Sequence, residues 1–129
     1  MALGGNNLKL RCPMAICQVL EVKVPSPGAT AGALYRNNNV VGVWAEDYDT
    51  GDTGVLIYHA PDIIVLCAVA TTAVDYAVGE PVYYHVSGAT VNQTTSGGFL
   101  CGHVLVKPAV GALEVEIALN GDANLVLGT

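Results

Sequence analysis

Residues 112–121 read ALEVEIALNG, and the alternation in them is unbroken. Leu113, Val115, Ile117 and Leu119 fall on one side of an extended chain and Glu114 and Glu116 on the other, because successive strand side chains point to opposite faces. A slip of one residue would turn all four apolar side chains into water, so the pattern implies one buried face and one wet one. Asn120-Gly121 then supplies turn residues that end the strand.

The same reading recurs along the chain. FLCGHVLV (99–106) places Leu100, Gly102, Val104 and Val106 on one face, and Gly97-Gly98 turns the chain into it. PVYYHV (81–86) and ATVNQT (89–94) flank Ser87-Gly88, a tight hairpin pair. In QVLEVKV (18–24), Leu20, Val22 and Val24 share a face opposite Glu21 and Lys23. ALYRN (33–37) and VVGVWAE (40–46) meet at Asn37-Asn38-Asn39, residues that tolerate left-handed turn conformations. VLIYHA (55–60) is expected to end at Pro61, which has no N–H to give a ladder. DIIVLCAVA (62–70) does not alternate and reads as a strand buried on both faces, at a subunit contact or in an internal core. TTAVDYAVGE (71–80) allows one helical turn capped by Thr71 or Thr72 and stopped by Gly79. Turns every eight to twelve residues and no long 3.6-period segment predict an all-β fold, a small antiparallel sandwich or barrel with at most one or two short helices.

Three segments follow: an amino-terminal arm over 1–14, a β domain over 15–122, and a short apolar tail over 123–129. The arm has no clean period and carries Gly4, Gly5, Asn6, Asn7 and Pro13. Leu3, Leu8 and Leu10 give it area to bury, so it is either a docking segment or a frayed end.

Composition points to a covered surface. Of 129 residues, 52% are hydrophobic and only 12% charged, about half the ordinary charged share. Such a surface suits coverage by copies of the chain or by a partner. The candidate contact residues are Leu3, Leu8 and Leu10 in the arm, Ile63 and Val65 in the apolar run, and Leu125, Val126 and Leu127 in the tail. Eleven acids against five bases leave a net charge of −6, which repels phosphate backbones and argues against a nucleic-acid partner. The longest apolar run, Ile63 to Ala70, is far short of the roughly 20 residues that cross a bilayer. The amino end lacks a basic start followed by an apolar core, so synthesis in a cytoplasm is expected. Cys12, Cys17, Cys67 and Cys101 match no metal knuckle or redox spacing, which favours reduced thiols with at least two of them packed as small hydrophobes over a disulfide framework.

Catalytic motifs fail one by one. No G-x-x-x-x-G-K-[ST] and no G-x-G-x-x-G after a strand is present, and PGATAGA (27–33) lacks the lysine of a phosphate loop. Ser26, Ser87 and Ser96 sit in turn clusters and none in G-x-S-x-G. Asp47, Asp49 and Asp52 resemble a calcium loop, but the positions for Gly and the closing Glu hold Asp52 and Tyr58, so a solvated turn is expected. His59, His85 and His103, with Cys101, form the one conceivable metal set, without evident supporting partners. The expectation is no enzyme, no metal and no cofactor.

The order of several pieces carries a resemblance. Gly42-Val43 in VVGVWAE, Gly54 opening GVLIYHA, Gly79 to Tyr84 in GEPVYYH, Gly88 and Val91 in SGATVNQT, Leu100 to Gly102 in LCG, and Val115 to Gly121 in VEIALNG stand in one spaced series. Over about residues 30–122 this series resembles a family of tailed-phage capsid decoration (cement) proteins, formerly a domain of unknown function often mislabelled phage recombinase. The opening GGNNLKLRCPMAICQ departs from that family's more common Gly-Asp start. The resemblance implies a β-tulip-like domain that binds the outside of a mature phage head as a homotrimer and stabilises the shell against packaged DNA. Its partners would be the major capsid protein lattice and itself, with the virion's outer surface as its location. Two other classes stay open: a trimeric β-module that binds glycan or host receptor through Trp44, Tyr48, Tyr76, Tyr83 and Tyr84, and a small trimeric enzyme with its site split between subunits.

Overall fold

A computed structural model describes residues 8–70 and 76–121, and these form one nearly closed, barrel-like antiparallel sheet. Its strands are β1 (Lys9–Leu10), β2 (Gln18–Lys23), β3 (Leu34–Asn37), β4 (Val40–Trp44), β5 (Thr53–Leu66), β6 (Pro81–His85), β7 (Thr90–Asn92), β8 (Phe99–Val106) and β9 (Glu114–Asn120). The main path runs β3-β4-β5-β9-β8-β6-β7, and β1 and β2 lie along the other edge of β5. Where β5 ends, Cys67 meets Val91 in a bridge and the Ala68 amide donates to the Val91 carbonyl at 2.9 Å, so β7 closes back toward β5. Closure removes most of the free edge that an open sheet would present. The all-β expectation holds.

β5 differs from the expected pair of strands. It runs through Pro61 as one 14-residue element. Proline is tolerated because the pairing register shifts between Ala60 and Ile63, and at such a bulge a residue without N–H removes no ladder bond. The bend also divides β5 by partner: β2 pairs with its first half and β1 with Ile63 and Ile64 on one edge, while β4 and then β9 pair on the other.

The core fills this barrel with side chains from every long strand. Ile57, Ala60, Ile63, Val82, Val91, Cys101 and Ile117 are wholly covered. Residues 62–70 are not buried on both faces as their unbroken apolar run suggests. Ile63 and Val65 point inward, whereas Leu66 is 41% and Val69 47% exposed. A second cluster lies between β2 and β4, where Trp44 packs with Val22, Val24 and Leu56 and its ring lies 5.1 Å from Tyr35 and 5.9 Å from Tyr48.

Two face assignments need correction. In β8 the buried residues are Cys101, Gly102 and Val104, while Val106 is exposed; register shifts opposite Val82/Tyr83 and at Val104/Val106 break the parity that strict alternation assumes. In β9, Val115, Ile117 and Leu119 point inward as expected, but Leu113 precedes the strand and is 59% exposed.

The turns behave as their residues dictate. Asn38 takes φ 57° between β3 and β4. Gly88 takes φ 80° in the 3₁₀ turn Ser87–Ala89 between β6 and β7. Asp47 to Asp52 form a hydrogen-bonded turn: the Asp47 carboxylate accepts from the Ala31 amide at 2.8 Å, and that of Asp52 accepts from the Asp49 amide at 2.9 Å. The helical turn expected near Thr71 and Thr72 lies largely outside the described residues.

Candidate interaction surface

The two ends of the barrel differ in what they expose. At one end Gly121 is sandwiched between strands: its amide donates to the Tyr58 carbonyl at 2.6 Å, and its own carbonyl accepts from the Val41 amide at 2.9 Å. A side chain at Gly121 would run into the Val41 carbonyl oxygen, so only glycine lets β9 finish against both β4 and β5. Gly102 plays the same part in the wall, where a Cβ would collide with the Ala118 carbonyl on β9.

The other end is apolar and open. Leu66 at the end of β5, Val106 at the end of β8, and Val110 and Leu113 in the loop before β9 are 41%, 52%, 76% and 59% exposed. Backbone bonds gather them: the Cys67 amide donates to the Leu113 carbonyl at 2.9 Å, and the Gly111 amide to the Ala70 carbonyl at 2.6 Å. Leu66 pairs with Glu114, and Val106 with Glu116. Exposed valines and leucines concentrated on one end, on a chain with few charges, are what a covered surface requires. A smaller exposed group, Met14, Ile16 and Val19, lies on the β2 flank.

The contact residues read from sequence fall in different places. Leu8 and Leu10 are partly buried against the chain's own core. β1 pairs with Ile63 and Ile64, and the Arg11 amide donates to the Asp62 carbonyl at 2.9 Å. Residues 8–11 are thus docked in cis: β5 has a free edge beyond the end of β2, and the arm fills it. Ile63 and Val65 are 0% and 1% exposed, so their side chains serve the chain's own core. Leu3, Leu125, Val126 and Leu127 lie outside the described residues. Sequence reading passed over Val106, Val110 and Leu113 as a group, although Pro108 and Gly111 between two strands signal a surface loop.

Charge around the arm is sparse and specific. Lys9 Nζ sits 2.8 Å from both Glu114 carboxylate oxygens across β5. The neighbouring Asp62 carboxyl, which favours the protonated form of Glu116, raises the Glu116 carboxyl above the usual 4.5, while nearby Arg11 opposes the rise. His59 Nδ1 and Asp62 Oδ1 are buried and lack a hydrogen-bond partner among the described residues.

The conceivable metal set does not converge on one face: Cys101 is wholly buried, His103 is exposed, and His85 Nε2 is engaged with the Thr94 carbonyl at 2.8 Å. Among the described residues, no group of three or more His, Cys, Asp or Glu is placed to hold a metal ion. Of the five aromatic residues that could stack a sugar, Trp44, Tyr76 and Tyr84 are internal, whereas Tyr48 and Tyr83 are half-buried. Trp44 is 3%, Tyr76 0% and Tyr84 4% exposed, and the Tyr76 hydroxyl donates to the Ala68 carbonyl at 2.9 Å where β7 closes on β5. Arg36 lies 4.1 Å over the Phe99 ring and ties β3 to the start of β8.

A nearly closed β-barrel with an apolar, exposed end has the kind of surface an interaction module carries. A model of the phage cement protein family matches residues 15–119. The chain belongs to that family, which assigns it a structural role on a phage capsid. No curated protein matches the chain.

Proposed function

We propose that the protein binds the outside of a tailed-phage head as a homotrimer and holds the shell against packaged DNA, without catalysis. The observation that carries the reading is the apolar end formed by Leu66, Val106, Val110 and Leu113, on a chain of the cement family. A lattice partner suits such a surface. Contacts that are individually modest multiply when one particle engages several neighbouring sites together. Ile63 and Val65 support the trimer indirectly, by fixing the β5 wall from which Leu66 projects. Leu3, Leu8 and Leu10, with Leu125, Val126 and Leu127, are proposed as further contacts at the two termini.

The test compares heads lacking the protein with complete heads. Bare heads should release DNA at a lower temperature than complete heads, and adding purified protein should bring them back to the complete heads' temperature. Expanded shells bind it far more tightly than isolated capsid subunits do. Equal release temperatures for bare and decorated heads would overturn the proposal. A glycan- or receptor-binding module has less behind it, because Trp44, Tyr76 and Tyr84 are interior.

A further inference from the structure

The cysteines divide into two kinds. Cys67 and Cys101 are 3% and 0% exposed, inside the core. Cys12 and Cys17 are half-buried at the surface, and their sulfurs lie 3.7 Å apart. The approach has a structural cause. Pro13 leads into a 3₁₀ turn at Met14–Ile16, in which the Ile16 amide donates to the Pro13 carbonyl at 3.2 Å and the Cys17 amide to the Met14 carbonyl at 3.0 Å. That turn folds the chain back so that Cys17 returns over Cys12. Both thiols pack against the same core cluster, which limits where their side chains can go.

We propose that Cys12 and Cys17 form a disulfide that staples the amino-terminal arm to the barrel. The bond lies between β1, paired to β5 at Ile63 and Ile64, and β2, paired to β5 from His59. A disulfide has sulfurs about 2.05 Å apart, so closure requires a movement of under 2 Å, within reach of side-chain rotation. Cys12 precedes the region matched to the cement family, so the proposal does not rest on the family.

The oxidant is a low-molecular-weight disulfide such as oxidised glutathione. One cysteine thiolate attacks it, forms a mixed disulfide and expels one thiolate of the oxidant. The second cysteine thiolate then attacks the protein sulfur of that mixed disulfide, forms the Cys12–Cys17 bond and expels the other thiolate. The pair gives up two electrons and two protons, and the oxidant becomes two thiols. Burial, and next the hydrogen bond shared with Cys12, pushes the Cys17 thiol up to about 11. The thiolate is the attacking species, so closure quickens as pH rises toward that value.

The experiment uses the full chain, purified reduced and then incubated with oxidised glutathione at pH 8. Free thiols are alkylated after denaturation and the protein is digested with trypsin. Cleavage after Arg11 and Lys23 yields residues 12–23 as one peptide holding both cysteines. The expected peptide is unalkylated and lighter by two hydrogens, while Cys67 and Cys101 are fully alkylated. Cys12→Ser should instead leave Cys17 as a glutathione adduct. A peptide that takes two alkyl groups, carries glutathione on both cysteines, or joins two chains would overturn the proposal. Hydrogen exchange tests the staple itself: the Arg11 amide should exchange at least several-fold more slowly in the oxidised protein than in the reduced. Equal exchange in the two forms would show that the bond closes without holding the arm.

Discussion

The Gly121 end and the Leu113 end of the barrel are built from the same strands, β5 and β9, yet they answer different demands. At Gly121 the backbones of three strands touch, with bonds of 2.6 and 2.9 Å and no room for a methyl group. At Leu113, eight residues before Gly121 and just ahead of β9, leucine and valine side chains are largely exposed to water among the described residues. One end is welded for stability; the other is left unfinished, which is tolerable only where something else covers it. The contrast predicts that substitutions at the first end act on folding and those at the second act on association.

The largest effect should come from Gly121→Ala. Its methyl group would meet a backbone carbonyl, which cannot rotate aside as a side-chain tip can. Relief requires β9 to pull away from β4, breaking the Val41–Gly121 bond. A loss above about 3 kcal/mol is expected, at the upper end of overpacking costs, read as a fall in denaturation midpoint or as failure to fold. A change below about 1 kcal/mol would mean that this end is slack, and the comparison would fail.

The second prediction concerns alkaline pH and the closed wall. Burial pushes the Cys101 thiol from 9.0 up to about 12. Its pKa is higher in the folded than in the unfolded chain, so unfolding releases a proton once the pH exceeds 9. The contribution is fully present below pH 9 and is lost progressively as the pH rises to about 12. Its full size is on the order of a few kcal/mol. Tyr76, pushed above 10.0 chiefly by burial, acts in the same direction at the top of that window. Denaturation midpoints should therefore decline from pH 9 upward, and Cys101→Ala should flatten the decline whatever it does to stability at pH 7. An unchanged slope in that variant would place the titration elsewhere.

Leu113→Asp probes the open end. The side chain is 59% exposed in the single chain, so stability should change by less than about 0.5 kcal/mol, as is usual for surface sites. If the open end is the one that binds, burying an unpaired carboxylate there should weaken co-sedimentation with expanded shells at least tenfold. Both measurements matter. A stable variant that binds as well as the parent would assign the contact elsewhere, with Met14, Ile16 and Val19 the next apolar group to substitute.

These differences also explain what could be read from the chain beforehand. Alternation identified Val115, Ile117 and Leu119 as inward, and asparagine and glycine marked the turns at Asn38 and Gly88 correctly, because strand period and left-handed φ are local properties. The proline rule failed at Pro61, and alternation failed at Val106 and at Leu113. The first two stand at register shifts and the third lies just ahead of its strand, and neither a bulge nor a strand boundary is encoded in a period of two. The arm was harder still. Its docking depends on a free edge of β5 created by where β2 stops, a consequence of tertiary pairing that residues 8–11 do not announce. The spacing of Gly42, Gly102 and Gly121 was legible as a family pattern before its cause was. The Gly102 and Gly121 positions are close approaches of backbone to backbone, visible only once the strands are set side by side.

The smallest effect should come from the ion pair between Lys9 and Glu114, which spans arm and barrel. Lys9 and Glu114 are 2.8 Å apart with side chains 45% and 41% exposed, so water screens the attraction and both long side chains lose freedom in making it. Such pairs contribute about 0.2–1 kcal/mol, and Lys9→Ala should shift stability by no more than that. The backbone pairing of Lys9 with Ile64 does not need the ammonium, so the arm should remain docked. Moderate salt should reduce the parent's stability slightly and leave the variant's almost unchanged, because only the parent has the pair to screen. If Lys9→Ala instead frees the arm, seen as fast exchange at the Arg11 amide, then side-chain charge and not strand pairing holds it. The distinction between a welded barrel and a loosely attached periphery would then have to be redrawn at β1.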